Sequence, residues 1–134
     1  MQDAGIILAR EQQEALAREG VILCYVFGSF AQGTARADSD LDIGVLYETT
    51  PQEIDAATAR VLAALADLAP ARELDVVILN EAGPLLRQQV ASRGRVLFAR
   101  SRADELAFQI RAMHDYESSR RIARIGRAAV SDKV

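Results

Sequence analysis

The sequence predicts a small fold of the α/β (α+β) class, a mixed β-sheet with helices packed on one face. Three observations carry this expectation. Val21-Ile-Leu-Cys-Tyr-Val-Phe27 is a continuous apolar run of β-formers, which reads as a buried strand. Two later apolar stretches, Leu41 to Tyr47 and Leu74 to Leu79, are each interrupted by a single aspartate. Between and around them lie helix signals, so the order of elements is α-β-β-α-β-α-β-α, and such an order builds a small mixed sheet.

Each element follows from its residues. Leu8 to Glu19 places Leu8, Gln12, Ala15, Leu16 and Glu19 roughly in line, with Gly20 as the stop. The Val21–Phe27 strand runs into Gly28-Ser29. Ser29 to Gln32 suits one helical turn, which Gly33 ends by taking a positive φ. Thr34 to Ser39 is polar and loop-like, and Leu41 to Tyr47 is the second strand. Thr50-Pro51-Gln52-Glu53 reads as a capping box with proline in the first turn. Ile54, Thr58, Val61, Leu62, Leu65 and Leu68 follow at helical spacing, with Pro70 beyond. After the third strand, Pro84 to Arg93 is a helix closed by Gly94, and Arg95 to Ala99 a fourth strand. Ser101-Arg-Ala-Asp104 is a second capping box, opening a final helix to about Arg127.

The chain of 134 residues suits one domain, 1–134, with a core at about 21–80 and a basic C-terminal helix at about 102–127. No apolar run approaches the roughly 20 residues of a membrane span, and Met1 to Arg10 lacks the layout of a secretory signal. The single cysteine, Cys24, lies in an apolar stretch and reads as a buried thiol, so a reducing cytoplasm is the expected location. Net charge is −3, unevenly spread: residues 1–99 carry 8 basic and 14 acidic side chains, residues 100–134 carry 8 and 5. That asymmetry points to a distinct neighbour for the tail.

Strand parity brings the chemistry together. Alternate side chains share a face, so Asp40 and Asp42 point one way while Leu41, Ile43 and Val45 point to the core. Leu74, Val76 and Ile78 likewise oppose Asp75. With the second and third strands as neighbours, three carboxylates converge on one open face. They would repel one another unless something positive lay between them. Hard oxygen ligands suit Mg²⁺, which completes its shell with water and substrate phosphates, and two such ions can steady both oxygens of an in-line phosphoryl displacement. Gly28 admits close backbone approach, and Ser29 opens a turn whose free N–H groups and hydroxyl can hold a triphosphate. Alone, a D-x-D or a Gly-Ser is usually a turn. An aspartate inside a hydrophobic strand is rarer, because unpaired charge there is costly. The ordered set is much harder to explain by turns alone.

These residues resemble the DNA polymerase β-type nucleotidyltransferase superfamily. Its G-S, some ten residues, D-x-D and later acidic residue read here as Gly28-Ser29, the ten residues Phe30 to Ser39, Asp40-Leu41-Asp42, and Asp75. FGSFAQGTARADSDLDIGVL resembles the stand-alone minimal nucleotidyltransferase (MNT) branch, over about residues 21–80. Many such proteins carry Arg after the position of Ala31, whereas this chain has Gln32. The resemblance implies a nucleotidyltransferase fold, Asp40 and Asp42 as ligands of Mg²⁺, Asp75 assisting the attacking hydroxyl, and ATP as donor. It also implies an antitoxin role, with AMP moved to a tyrosine of a helical HEPN ribonuclease toxin. The chain has no room for an added acceptor domain, so the acceptor should come from a partner or across a homo- or hetero-oligomer interface.

Other residues carry weaker signals. Arg36 precedes the carboxylates and can reach a triphosphate, or be a plain loop arginine. His114 reads as a surface or interface histidine, and Tyr116 as helix packing. Arg111, Arg120, Arg121, Arg124 and Arg127 make a basic face, solvated or facing an acidic protein surface. Few aromatics accompany them, so nucleic acid ranks last. Two rivals stand beside protein adenylylation: a small-molecule, antibiotic-type nucleotidyltransferase, and a non-catalytic antitoxin acting by occlusion.

Overall fold

A computed structural model describes residues 6–36 and 39–132, with side chains as far as residue 126. The elements are α1 (Arg10–Glu19), β1 (Val21–Phe27), β2 (Leu41–Tyr47), α2 (Ile54–Ala64), β3 (Leu74–Ile78), a 3-10 turn (Leu79–Glu81), α3 (Pro84–Arg93), β4 (Arg95–Ala99) and α4 (Arg102–Asp132). The sheet order is β3-β2-β1-β4. Strand β1 is antiparallel to both β2 and β4, and β2 is parallel to β3. Strand β1 takes an inner position because its side chains are apolar on both faces, the pattern of a strand covered twice.

That double burial corrects the expectation of helices on one face. Cys24 and Val26 join Leu41, Ile43 and Val45 in a core with Leu16 of α1 and Ala57 and Val61 of α2. Leu23 and Tyr25, of opposite parity, join a second core with Val90 of α3 and Phe108 and Ala112 of α4. Leaving Leu23 and Tyr25 in water would forfeit roughly 1.5–3 kcal/mol each, so this face is covered too. The contacts of α3 and α4 fall on β1 and β4. On β2, Gly44 admits Leu79, whose side-chain carbons would lie 3.2–3.3 Å from an added Cβ.

Helix ends show where local signals yield. Gly20 closes α1 at φ 96°, as expected. Helix α2 begins at Ile54, and Thr50 does not cap it. Asn80 draws the segment elsewhere: its Oδ1 accepts from Tyr47 N at 2.9 Å, and its Nδ2 donates to Tyr47 O at 3.0 Å and Thr50 Oγ1 at 3.4 Å. Half of the second capping box forms, with Asp104 N donating to Ser101 Oγ at 3.0 Å. The Asp104 carboxylate instead pairs with Arg100 through two hydrogen bonds of 2.7 and 3.1 Å. Gly94 ends α3 at an ordinary φ of −75°. It is needed for contact, because a Cβ there would lie 2.5 Å from Val90 O and 3.2 Å from the Tyr25 ring.

Helix α4 runs 31 residues, longer than the sequence signals predicted. It leaves Leu106, Ile110, Met113, Ile122 and Ile125 exposed. His114 is exposed beside Asp115, and the Arg127 side chain lies outside the described residues. No helix among the described residues is long and apolar enough to cross a membrane. Cys24 is buried, which pushes its thiol up to about 12.

Candidate active site

The site forms where β1 ends and β2 begins, on the face that α1 and α2 do not cover. In the parallel β2–β3 ladder Asp42 is the register partner of Asp75, and Leu41 of Leu74. In-register parallel neighbours point their side chains to the same face, so these two carboxylates stand side by side. Asp42 is half-buried, whereas Asp40, one residue before β2, and Asp75 are exposed. Burial, and then the charges of Asp75 and Asp40, hold the Asp42 carboxyl above the usual range. The register thus places Asp42 beside Asp75, and the charge of Asp40 also reaches Asp42.

Gly28 follows β1 at φ 73°, a conformation natural to glycine. Its missing side chain matters as much as its backbone. A Cβ there would collide with the Asp42 carboxylate oxygen and lie 3.2 Å from its Cγ. The turn is held by Gln32 N to Gly28 O at 3.2 Å, Gly33 N to Phe30 O at 3.3 Å and Thr34 N to Ser29 O at 2.9 Å. Gly33 takes φ 74°, matching its expected role. Among the described residues, the N–H groups of Ser29, Phe30 and Ala31 donate to no backbone carbonyl, the condition of a first helical turn. Free N–H groups thus sit next to the carboxylates.

Arg36 is exposed, and its backbone is engaged: its N donates to Ser39 Oγ at 2.7 Å. Residues 37 and 38 of the expected 34–39 loop lie outside the described residues. Sequence reasoning passed over Arg72, in the turn before β3. Its Nη1 donates to Arg36 O at 2.7 Å and to Ser39 O at 2.9 Å, and its guanidinium lies 4.5 Å from the Phe30 ring centre. No local pattern marks it, because its partners are 30 or more positions away in the chain. A cavity of about 200 Å³ next to Gly28 is lined by Phe27, Gly28, Gln32, Leu86, Gln89 and Arg93. Gln32 therefore faces a space shared with an arginine from α3.

Among the described residues, no three carboxylate, imidazole or thiolate groups close into a ready-made ion cage. Mg²⁺ does not require one, because it binds through one or two carboxylates and fills its shell with water and phosphate oxygens. The donor chemistry fits such an ion. Asp42 offers carboxylate oxygens, and the charges that raise its pKa are those of Asp75 and Asp40. One expected result follows. In metal-free protein, a carbon-13 NMR titration should show Asp42 taking up its proton at a higher pH than an ordinary aspartate, and Mg²⁺ should move that midpoint down.

The profile of the family described as polymerase beta, nucleotidyltransferase, matches residues 11–103, from α1 into the start of α4. The chain belongs to the polymerase β nucleotidyltransferase family. Within it, the protein adenylyltransferase MntA of Shewanella oneidensis is 36% identical over 96 residues, or 71% of this chain. That match spans 66% of MntA, just under two thirds of its length. Among solved structures, a toxin–antitoxin complex with AMP-PNP contains a chain 29% identical to this polymerase β-type chain. It aligns over 93% of this chain and 98% of that one, with a TM-score of 0.66. A complex of a tri-AMPylated Shewanella oneidensis HEPN toxin with an MNT antitoxin gives 27% identity, 90% and 89% coverage and a TM-score of 0.59.

Proposed function

We propose that this chain moves AMP from ATP to a hydroxyl, a tyrosine of a helical HEPN-type toxin, and thereby acts as its antitoxin. The observation that carries the chemistry is the in-register pair Asp42 and Asp75 beside the free N–H groups after Gly28. The partner is argued from the relatives, which include a protein adenylyltransferase and complexes of MNT antitoxin with HEPN toxin.

In this reading the chain's groups divide the work. The N–H groups of the Ser29 turn and the Ser29 hydroxyl bind the triphosphate, and Arg36 approaches it from the loop. Asp40 and Asp42, with Asp75 alongside, would hold two Mg²⁺ ions, which would supply charge neutralisation for the phosphoryl displacement. The acceptor oxygen attacks the α-phosphorus as its proton passes to Asp75. The bond to the leaving pyrophosphate breaks, and its electron pair stays with the pyrophosphate. Positioning and charge supply most of the rate. The domain is 1–134, working in a reducing cytoplasm, with its acceptor supplied by the other protein.

Purified chain, Mg²⁺ and a HEPN-type partner should transfer label from the α-phosphate of ATP to the partner, and none from the γ-phosphate. The double variant Asp40→Ala, Asp42→Ala should transfer none. Equal neutralisation of the toxin by that double variant would remove the enzymatic account in favour of occlusion. Transfer to a small antibiotic hydroxyl in preference to the protein would favour the other rival.

A further inference from the structure

Arg72 joins three separate parts of the site, and none of its bonds needs a substrate. Among the described residues, 34–36 and 39 form irregular chain between the glycine turn and Asp40. Its geometry therefore sets how far apart those two parts stand. Two bonds link Arg36 and Ser39 within it. Ser39 N donates to Arg36 O at 3.1 Å, and Arg36 N donates to Ser39 Oγ at 2.7 Å, which closes a small loop. Arg72 Nη1 then bridges the carbonyls at both ends of that loop, at 2.7 and 2.9 Å. The same guanidinium lies over Phe30, the residue after Ser29. One residue beyond Arg72, Glu73 O accepts from Leu41 N at 2.9 Å, which begins the β2–β3 pairing. Arg72 is also three positions ahead of Asp75 in the chain.

We propose that Arg72 is a positioning residue for the transfer reaction. It fixes the spacing between the Ser29 turn and the Asp40–Asp42 pair, so that a magnesium–triphosphate can touch both at once. A planar guanidinium suits the task, because one face stacks on a ring while its edge donates to two carbonyls. Without it the loop's carbonyls turn to water and Asp40 is held from one side only. The site then has to be gathered by the metal, and metal affinity falls because ligands must first be ordered. The inference rests on the transfer reading above.

The test compares wild type, Arg72→Ala, and Val61→Ala as a destabilised core variant on α2. Hydrogen exchange at the Ser39 and Leu41 amides should speed at least about tenfold in Arg72→Ala. The Mg²⁺ concentration giving half-maximal ATP binding should rise at least about fivefold. Val61→Ala should leave both unchanged. Unaltered exchange and unaltered magnesium dependence in Arg72→Ala would overturn the proposal, as would equal changes in Val61→Ala. The exchange measurement needs no nucleotide, so it separates two failures. A wild type that binds no magnesium–ATP sinks the transfer reading even where exchange reveals the clamp. An unmoved loop sinks the clamp even where the wild type is active.

Discussion

An Asp42→Asn variant should be more stable than the parent at neutral pH and should transfer no detectable nucleotide. The stability follows from the raised carboxyl. Burial and the charges of Asp75 and Asp40 make ionised Asp42 costly in the metal-free fold, more so than in the unfolded chain. An amide of the same shape removes that cost. The sign of the pH dependence is then determined. The folded value lies above the unfolded one, so as pH falls through it the native parent binds a proton ahead of the unfolded chain. The parent gains stability until pH drops below about 3.8, the ordinary value. The variant's advantage in thermal midpoint should therefore be largest near neutrality and close in acid. Saturating Mg²⁺ should reverse it, because only the carboxylate binds the ion tightly. Activity falls for the same reason: losing a charged ligand of a phosphoryl-transfer site should cost at least about 10³-fold in rate, some 4 kcal/mol of barrier. A variant less stable than wild type at every pH would show that Asp42 is paired in a way the site geometry does not contain.

Gly28→Ala should damage both stability and transfer, and Gly33→Ala only the first. Both glycines sit at positive φ, 73° and 74°, so an alanine at either adds backbone strain of about 1–2 kcal/mol. They differ in surroundings. Nothing lies within 4 Å of a Cβ built on Gly33, whereas one built on Gly28 meets the Asp42 carboxylate. Gly28→Ala must therefore push Asp42 aside, and displacement of a reacting group on the ångström scale costs about 10²-fold in rate. Together with the strain, a loss of about 2 kcal/mol and roughly 6–10 °C in thermal midpoint is expected. Thermal melts and a transfer assay on the two alanine variants check this directly. Similar activity in both would show that the turn, and not its contact with Asp42, matters at position 28.

The elements were legible in the sequence because their causes are local. Val21 to Phe27 is apolar at every position, and Gly20 and Pro84 sit where a helix stops and starts. Strand parity alone put Asp42 and Asp75 opposite their core residues. The Thr50 capping box was misread because Asn80, 30 positions later, offers Thr50 and Tyr47 competing hydrogen bonds. Helices on one face was likewise a local reading. It followed Leu41, Ile43 and Val45, and gave too little weight to Leu23 and Tyr25 on the opposite parity of β1.

What the sequence by itself determined is the candidate donor set: glycine and serine after a strand, then Asp40, Asp42 and Asp75 at alternating positions of one parity in or beside strands. Residue type and alternation are properties of neighbouring residues, so no contact at a distance was needed to find them. The tertiary structure alone decided that β2 and β3 pair in parallel and in register, which sets Asp42 beside Asp75. It also decided that Gly28 yields its Cβ space to Asp42, and that Arg72 ties the loop between them. Each of these is a contact between residues far apart in the chain, chosen by how the whole sheet and its two cores pack.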